Sequence, residues 1–259
     1  MTADSRPAGP STVRLTLLHA KYDLIETLRV PIAVIGTLVF PALALLFFVV
    51  PQRTVAGNAE YATQAVIALA VFAVMSNALF SFGLTISENR EKPWDPYLRT
   101  LPAPGLARVF AQVLSTGMLG LLAVLPVVLV GAFLTAAEAS PLRVLAGIVA
   151  LAVAALPFML IGTAIGYALP FKAAIAVVQI VMFSFAFIGG LFLPPLFFAP
   201  WLDAVSQFTP SRHARELVIW AVQGGRLEWW VWVGILVWTA ISLALALLLF
   251  RRDQGKRYR

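Results

Sequence analysis

The 259-residue chain is 61% hydrophobic and 12% charged, carries a formal net charge of +7 and contains no cysteine. Soluble globular domains hold roughly 45 to 50% apolar residues, so this composition excludes an ordinary soluble domain. The missing cysteine excludes disulfides, thiol catalysis and thiolate metal sites.

Met1 to Ser11 is polar and proline-containing, and no short apolar run with a small-residue cleavage site follows, so no signal peptide is expected. Arg14 to Arg29 predicts a helix lying on the membrane surface. At 3.6 residues per turn Thr16, His19, Asp23, Glu26 and Thr27 gather on one side and Leu17, Leu18, Leu24, Ile25 and Leu28 on the other. Arg14 and Lys21 sit within the apolar side, where their stems can snorkel to anionic headgroups.

Six charge-free stretches follow: Val30 to Val50, Tyr61 to Ser87, Val109 to Ala137, Val144 to Phe171, Ala173 to Leu202 and Trp229 to Phe250. A helix needs roughly 20 apolar residues to cross the hydrocarbon, and lipid offers no water to an open backbone. A β-barrel would alternate apolar and polar residues instead. The expectation is an all-α polytopic membrane protein forming one transmembrane domain over 1–259. Its spans are 30–50, 61–87, 109–137, 144–171, 173–191 and 229–250; residues 1–29 precede them, 88–108 and 192–228 form two long connections, and 251–259 is a basic tail.

The first long connection contains Asp95 and Pro96, which fit an N-cap and N1 pair, and Pro102 and Pro104, which limit the helix to about two turns. Trp94, Tyr97, Leu98 and Leu101 then offer apolar surface among charges, the composition of a binding surface. The second begins at Gly189 and Gly190. Pro194, Pro195 and Pro200 break any regular span there, predicting a re-entrant helical hairpin whose second helix starts at Thr209 and Pro210 and stops at Gly224 and Gly225. Trp220, Trp229, Trp230 and Trp232 form an interfacial belt beside it.

With the first segment inside, the inner segments hold 14 Lys and Arg and the outer ones 5. This bias places both termini and the 88–108 connection in the cytoplasm, the hairpin outside, and the protein in the plasma membrane. The tail from Arg251 to Arg259 then anchors to the membrane surface, so no nucleic-acid partner is expected.

Catalytic signatures are missing: there is no G-x-x-x-x-G-K-[ST], H-E-x-x-H or G-x-S-x-G, and His19 and His213 fall on opposite sides of the membrane. The spans hold no ionisable side chain for a proton or sodium relay, only neutral polar groups: Gln64, Ser76, Asn77, Gln112, Gln179 and Ser184. Asn77 and Gln179 are candidates for a cargo pathway, with Phe80, Phe183 and Phe187 as its aromatic lining, although helix packing is the favoured account of any one amide in such a position. Gly162 and Gly166 form a small-xxx-small face whose expected role is packing.

This order of features resembles the membrane subunits of type 2 ABC exporters, nearest to the daunorubicin-resistance permease group. The likeness rests on Glu88, Asn89, Arg90, Glu91 and Lys92, then Tyr97, Leu98, Arg99, Thr100, Leu101 and Pro102, and on the proline-rich segment from Gly190 to Pro210 with its Trp201, Leu202 pair. It implies a permease without its own ATP site and with no cofactor in this chain, paired with a second permease subunit, identical or homologous, and with two ATPase subunits that carry ATP and Mg. The resemblance assigns Glu88, Arg90, Glu91, Lys92, Trp94, Asp95, Tyr97, Leu98 and Arg99 to the cytoplasmic coupling helix and its approaches. Pro93 and Pro96 depart from the family, which often has glycine and a more continuous helix there. Sparse hydrogen-bonding groups among apolar side chains suit an amphiphilic drug or antibiotic as exported cargo. A lipid or lipid-linked glycan is the alternative cargo, and an ATP-independent channel or carrier the alternative class.

Overall fold

The computed structural model describes residues 12–29, 31–93 and 105–256, all helix, turn or irregular connection. Side chains of 12, 31–37, 105–109 and 254–256 lie outside that description. The helices are α1 (Thr12–Leu28), α2 (Pro31–Ala44), α3 (Arg53–Ala56), α4 (Ala59–Glu91), α5 (Gly105–Leu134), α6 (Pro141–Ala168), α7 (Phe171–Ile188), α8 (Pro200–Ser206), α9 (Pro210–Gln223) and α10 (Trp229–Lys256). Five of them, α4, α5, α6, α7 and α10, contain segments long and apolar enough to cross a membrane. The protein is a multi-pass membrane protein. The first predicted span is made differently: α2 runs into a π-helical turn at Leu45–Val49, closed by Val50 N–H donating to Leu45 O at 3.1 Å.

Helix ends follow local chemistry. Asn58 caps α4 by accepting from the backbone N–H groups of Glu60 and Tyr61, and Ser140 caps α6 by accepting from Arg143 N–H. Helix α4 stops at Glu91 because Lys92 precedes Pro93 and takes the extended conformation a pre-proline residue prefers. Thr209 accepts from Arg212 N–H with Pro210 at the first helical position, and Gly224 ends α9 at φ 83°, as the sequence implies. Two boundaries move functional residues. Helix α4 continues past residue 87 through Glu91, so the start of the predicted connection is helical, and α10 runs through Lys256, so most of the predicted tail is helical too.

Helix α4 is the centre of the bundle, packed on α6, α5, α7 and α9, while α10 lies on α6 and α1 lies along α5. Lipid is as apolar as leucine and gives no hydrophobic drive between helices, so close van der Waals fit must hold them. Gly162 and Gly166 supply it: a Cβ at Gly166 would stand 2.8 Å from Ile86 Cβ and 3.0 Å from Gly83 O, and one at Gly162 would stand 3.0 Å from Leu79 O. The α4 and α6 backbones touch there. Phe72, Met75, Leu79 and Phe158 fill the same core, fully buried.

The segment after α7 is a 3-10 turn (Pro195–Phe197) followed by α8 and α9. Helix α9 is wedged among α6, α4 and α10. Ser211 Oγ donates to Phe185 O of α7 at 2.6 Å, Trp238 Nε1 of α10 donates to Phe208 O at 2.8 Å, and a Cβ at Gly234 would overlap the His213 imidazole. At the same end Ala136 N–H donates to Ala56 O at 2.7 Å and Gln223 Nε2 to Glu60 O at 3.0 Å.

Candidate functional site

The opposite end of the bundle, where α4 enters the predicted coupling connection, gathers four helices around two adjacent residues. Arg90 Nη2 pairs with Asp253 Oδ1 of α10 at 2.6 Å, and its Nη1 donates to Gly166 O at 2.8 Å and Leu169 O at 3.3 Å. The last carbonyls of a helix have no intrahelical donor and carry the negative end of its dipole, so a guanidinium is matched to the end of α6. Glu91 Oε1 accepts from Phe171 N–H at 2.8 Å, serving the start of α7, where Pro170 can offer no side-chain cap. Lys92 Nζ reaches Glu88 Oε1 at 3.1 Å across one turn. Tyr167 and Phe250 stack edge to face nearby, with centroids 5.3 Å apart, fixing α6 against α10.

Of the residues the sequence assigns to coupling, Glu88, Arg90 and Glu91 stand on the last turn of α4, with Lys92 just past its end. Trp94, Asp95, Tyr97, Leu98 and Arg99 lie outside the described residues. Asp253 is the member that sequence reasoning missed. It sits among Arg251, Arg252 and Lys256, in a tail read as a basic membrane-surface anchor, yet it is buried at 6% exposure while Arg251 and Arg252 are exposed. A lone acid in a basic run is the signal that could have found it.

The predicted pathway residues do not form one surface. Asn77 is buried and its Nδ2 donates to Thr116 O of α5 at 2.8 Å, while Ser81 Oγ donates to its Oδ1 at 3.4 Å. Phe80 is half-buried against the core. Gln179, Phe183 and Phe187 line up four residues apart on the exposed side of α7. Phe187 also meets Phe192 at 5.2 Å between centroids, and Phe192 meets the buried Phe72 at 4.8 Å.

A second polar cluster lies on α9. Arg215 Nη1 pairs with Glu216 at 2.7 Å, and its Nη2 donates to Gln64 Oε1 at 3.3 Å. Arg212 pairs with Glu216 at 3.0 Å and Asp203 at 3.4 Å. Two cations and two carboxylates leave the group neutral, which suits a helix inserted among apolar neighbours. His213 packs at 5.5 Å from the Trp230 ring; burial pushes its imidazole below the ordinary value, the Gln207 backbone opposes this, and the Arg212 cation adds to it. No group of three or more His, Cys, Asp or Glu that could hold a metal ion occurs among the described residues.

Five apolar helices long enough to cross a membrane, with a proline-broken segment between α7 and α9, are the build of a membrane transport subunit, and comparison with known proteins agrees with that class. The ABC-2 type transporter family matches residues 15–222, from α1 to the end of α9, and the chain belongs to that family. It is similar to "Putative transport permease YvfS" of Bacillus subtilis (strain 168), with 23% identity over 208 residues, covering 80% of this chain and 85% of the relative. The chain is a transport permease subunit, and its family implies an ABC ATPase partner.

Proposed function

We propose that this chain is the membrane half of an ATP-driven exporter that moves an amphiphilic drug or antibiotic outward. The family match across 15–222 carries this reading, because it spans the whole region from α1 to α9. Six crossings follow when α2 with its π turn makes the first, which leaves both termini on one side, and the bias of 14 against 5 Lys and Arg favours the cytoplasm for them and for the 88–108 connection. Two permease copies pair and two ATPase subunits bind their inner faces, receiving the segment from Asp95 to Leu101 as the coupling helix. Cargo meets the exposed Gln179, Phe183 and Phe187 stripe, whose amide and rings suit a molecule with an apolar body and a few hydrogen-bonding groups. Asn77, buried with its amide bonded to Thr116 O, and the half-buried Phe80 act as support.

The test is reconstitution of the chain in vesicles with a candidate ABC ATPase subunit, followed by uptake of a fluorescent amphiphilic drug into inverted vesicles. ATP-dependent uptake is expected, and Tyr97→Ala with Leu98→Ala is expected to leave the spans folded while abolishing it, since interface anchors commonly contribute about 2 kcal/mol or more each. Uptake by the chain without the ATPase would make it a carrier. ATP-driven movement of a labelled lipid with no drug uptake would favour the lipid-export alternative.

A further inference from the structure

We infer that Arg90 and Glu91 are positioning residues that join the cytoplasmic connection to the membrane helices, and that Asp253 is the point through which displacement of that connection reaches α10. The inference rests on the proposed ATP-coupled export and names the elements that carry the motion. Neighbouring residues on a helix point about 100° apart, so adjacent side chains grip different partners. Arg90 takes the end of α6 and Asp253 of α10, and Glu91 takes the start of α7. Pro93 ends regular structure two residues later. A push on the connection therefore enters three membrane helices within one turn of α4.

Burial of Asp253 separates this arrangement from a membrane anchor. An anchor needs only cations at the headgroups, and Arg251 and Arg252 are exposed as that role requires. A buried carboxylate is retained only with a specific partner, and Asp253 receives both Nε and Nη2 of Arg90, at 3.0 and 2.6 Å. Capping α6 needs Arg90 alone. The added carboxylate brings in α10, the helix that also packs on α9, so the pair lies on a continuous path from the connection to the hairpin.

The full complex is reconstituted with Asp253→Ala, Asp253→Asn and Asp253→Glu. Drug moved per ATP hydrolysed is measured beside the amount of assembled complex. Coupling between sites is typically worth about 5- to 150-fold, so Asp253→Ala is expected to lower drug moved per ATP at least about fivefold, with ATP turnover and assembly retained. Asp253→Glu restores part of it. An unchanged ratio in Asp253→Ala, or loss of both the alanine and asparagine variants from the membrane, assigns the pair to folding and overturns the inference. A wild-type complex that moves drug without ATP defeats the export reading itself, whereas a coupled wild type beside an equally coupled Asp253→Ala defeats only the role of this pair.

Discussion

Replacing Gly166 by alanine tests whether backbone contact between α4 and α6 holds the bundle. The new Cβ would lie 2.8 Å from Ile86 Cβ and 3.0 Å from Gly83 O, where ordinary contact starts at 3.4 Å. The helices must part by about 0.5 Å, and overpacking of this kind costs about 1–3 kcal/mol. Alanine also favours a helix over glycine by about 1 kcal/mol, so the substitution alone mixes two opposing effects. Gly117 of α5 removes the ambiguity, because a Cβ there meets nothing within 4 Å. Gly117→Ala carries the same backbone gain without the clash. Gly166→Ala is therefore expected to be less stable than Gly117→Ala by the packing cost alone, roughly 5- to 150-fold in the folded-to-unfolded ratio. Titration with SDS in mixed micelles, followed by tryptophan fluorescence, measures it. A Gly166→Ala protein as stable as Gly117→Ala would refute backbone contact as the source of stability.

Asn77→Leu removes the bond to Thr116 O and is expected to lower stability by about 1 kcal/mol without changing which drugs move, whereas Gln179→Leu should change the drug profile and leave melting unaltered. A drug panel run beside detergent melting curves separates the two, and the reverse pattern would move the cargo surface to Asn77. Because the chain has no cysteine, single cysteines at Asn58, Asn89 and Lys172 report orientation without background. An impermeant thiol reagent on intact cells should label Asn58→Cys only, and labelling of the other two instead would invert the topology. His213 resists protonation when folded and accepts a proton near its ordinary value of 6.5 when unfolded. The unfolded state then binds more protons below that value, so stability present above about pH 6.5 is lost as pH falls. Melting curves between pH 7.5 and 5 should show a steeper loss of stability on acidification in the wild type than in His213→Gln.

Five of the six predicted spans were legible because lipid demands long apolar helices, and α4, α5, α6, α7 and α10 overlap their predicted ranges. Caps were legible where the chemistry is local, as at Thr209, Pro210 and Gly224. Pairings between distant residues were not. Arg90 and Asp253 are 163 positions apart, as are Gln223 and Glu60, and no local pattern sets which helix ends meet. The π turn at Leu45–Val49 also escaped, since an apolar run reads alike in α and π geometry. Arg215 counted as an outer-loop cation in the sequence, yet it is buried against Glu216 and Gln64, because neutralisation by a neighbour leaves no trace in a residue count.

The seating of α9 fixes an order of events during synthesis. This helix carries Arg212, His213, Arg215 and Glu216, too polar a set to enter lipid alone, so it waits at the interface until a slot exists. One wall of that slot is Gly234 and Trp230 on α10, which leaves the ribosome after α9. Helices α6 and α4 can receive α9 earlier, but its slot closes only once α10 has been made. A nascent chain stopped before Trp229 would keep the Ser211 bond to Phe185 O of α7 but lack the α10 wall and the Trp238 bond to Phe208 O, and membrane quality control would meet α9 in that half-closed form.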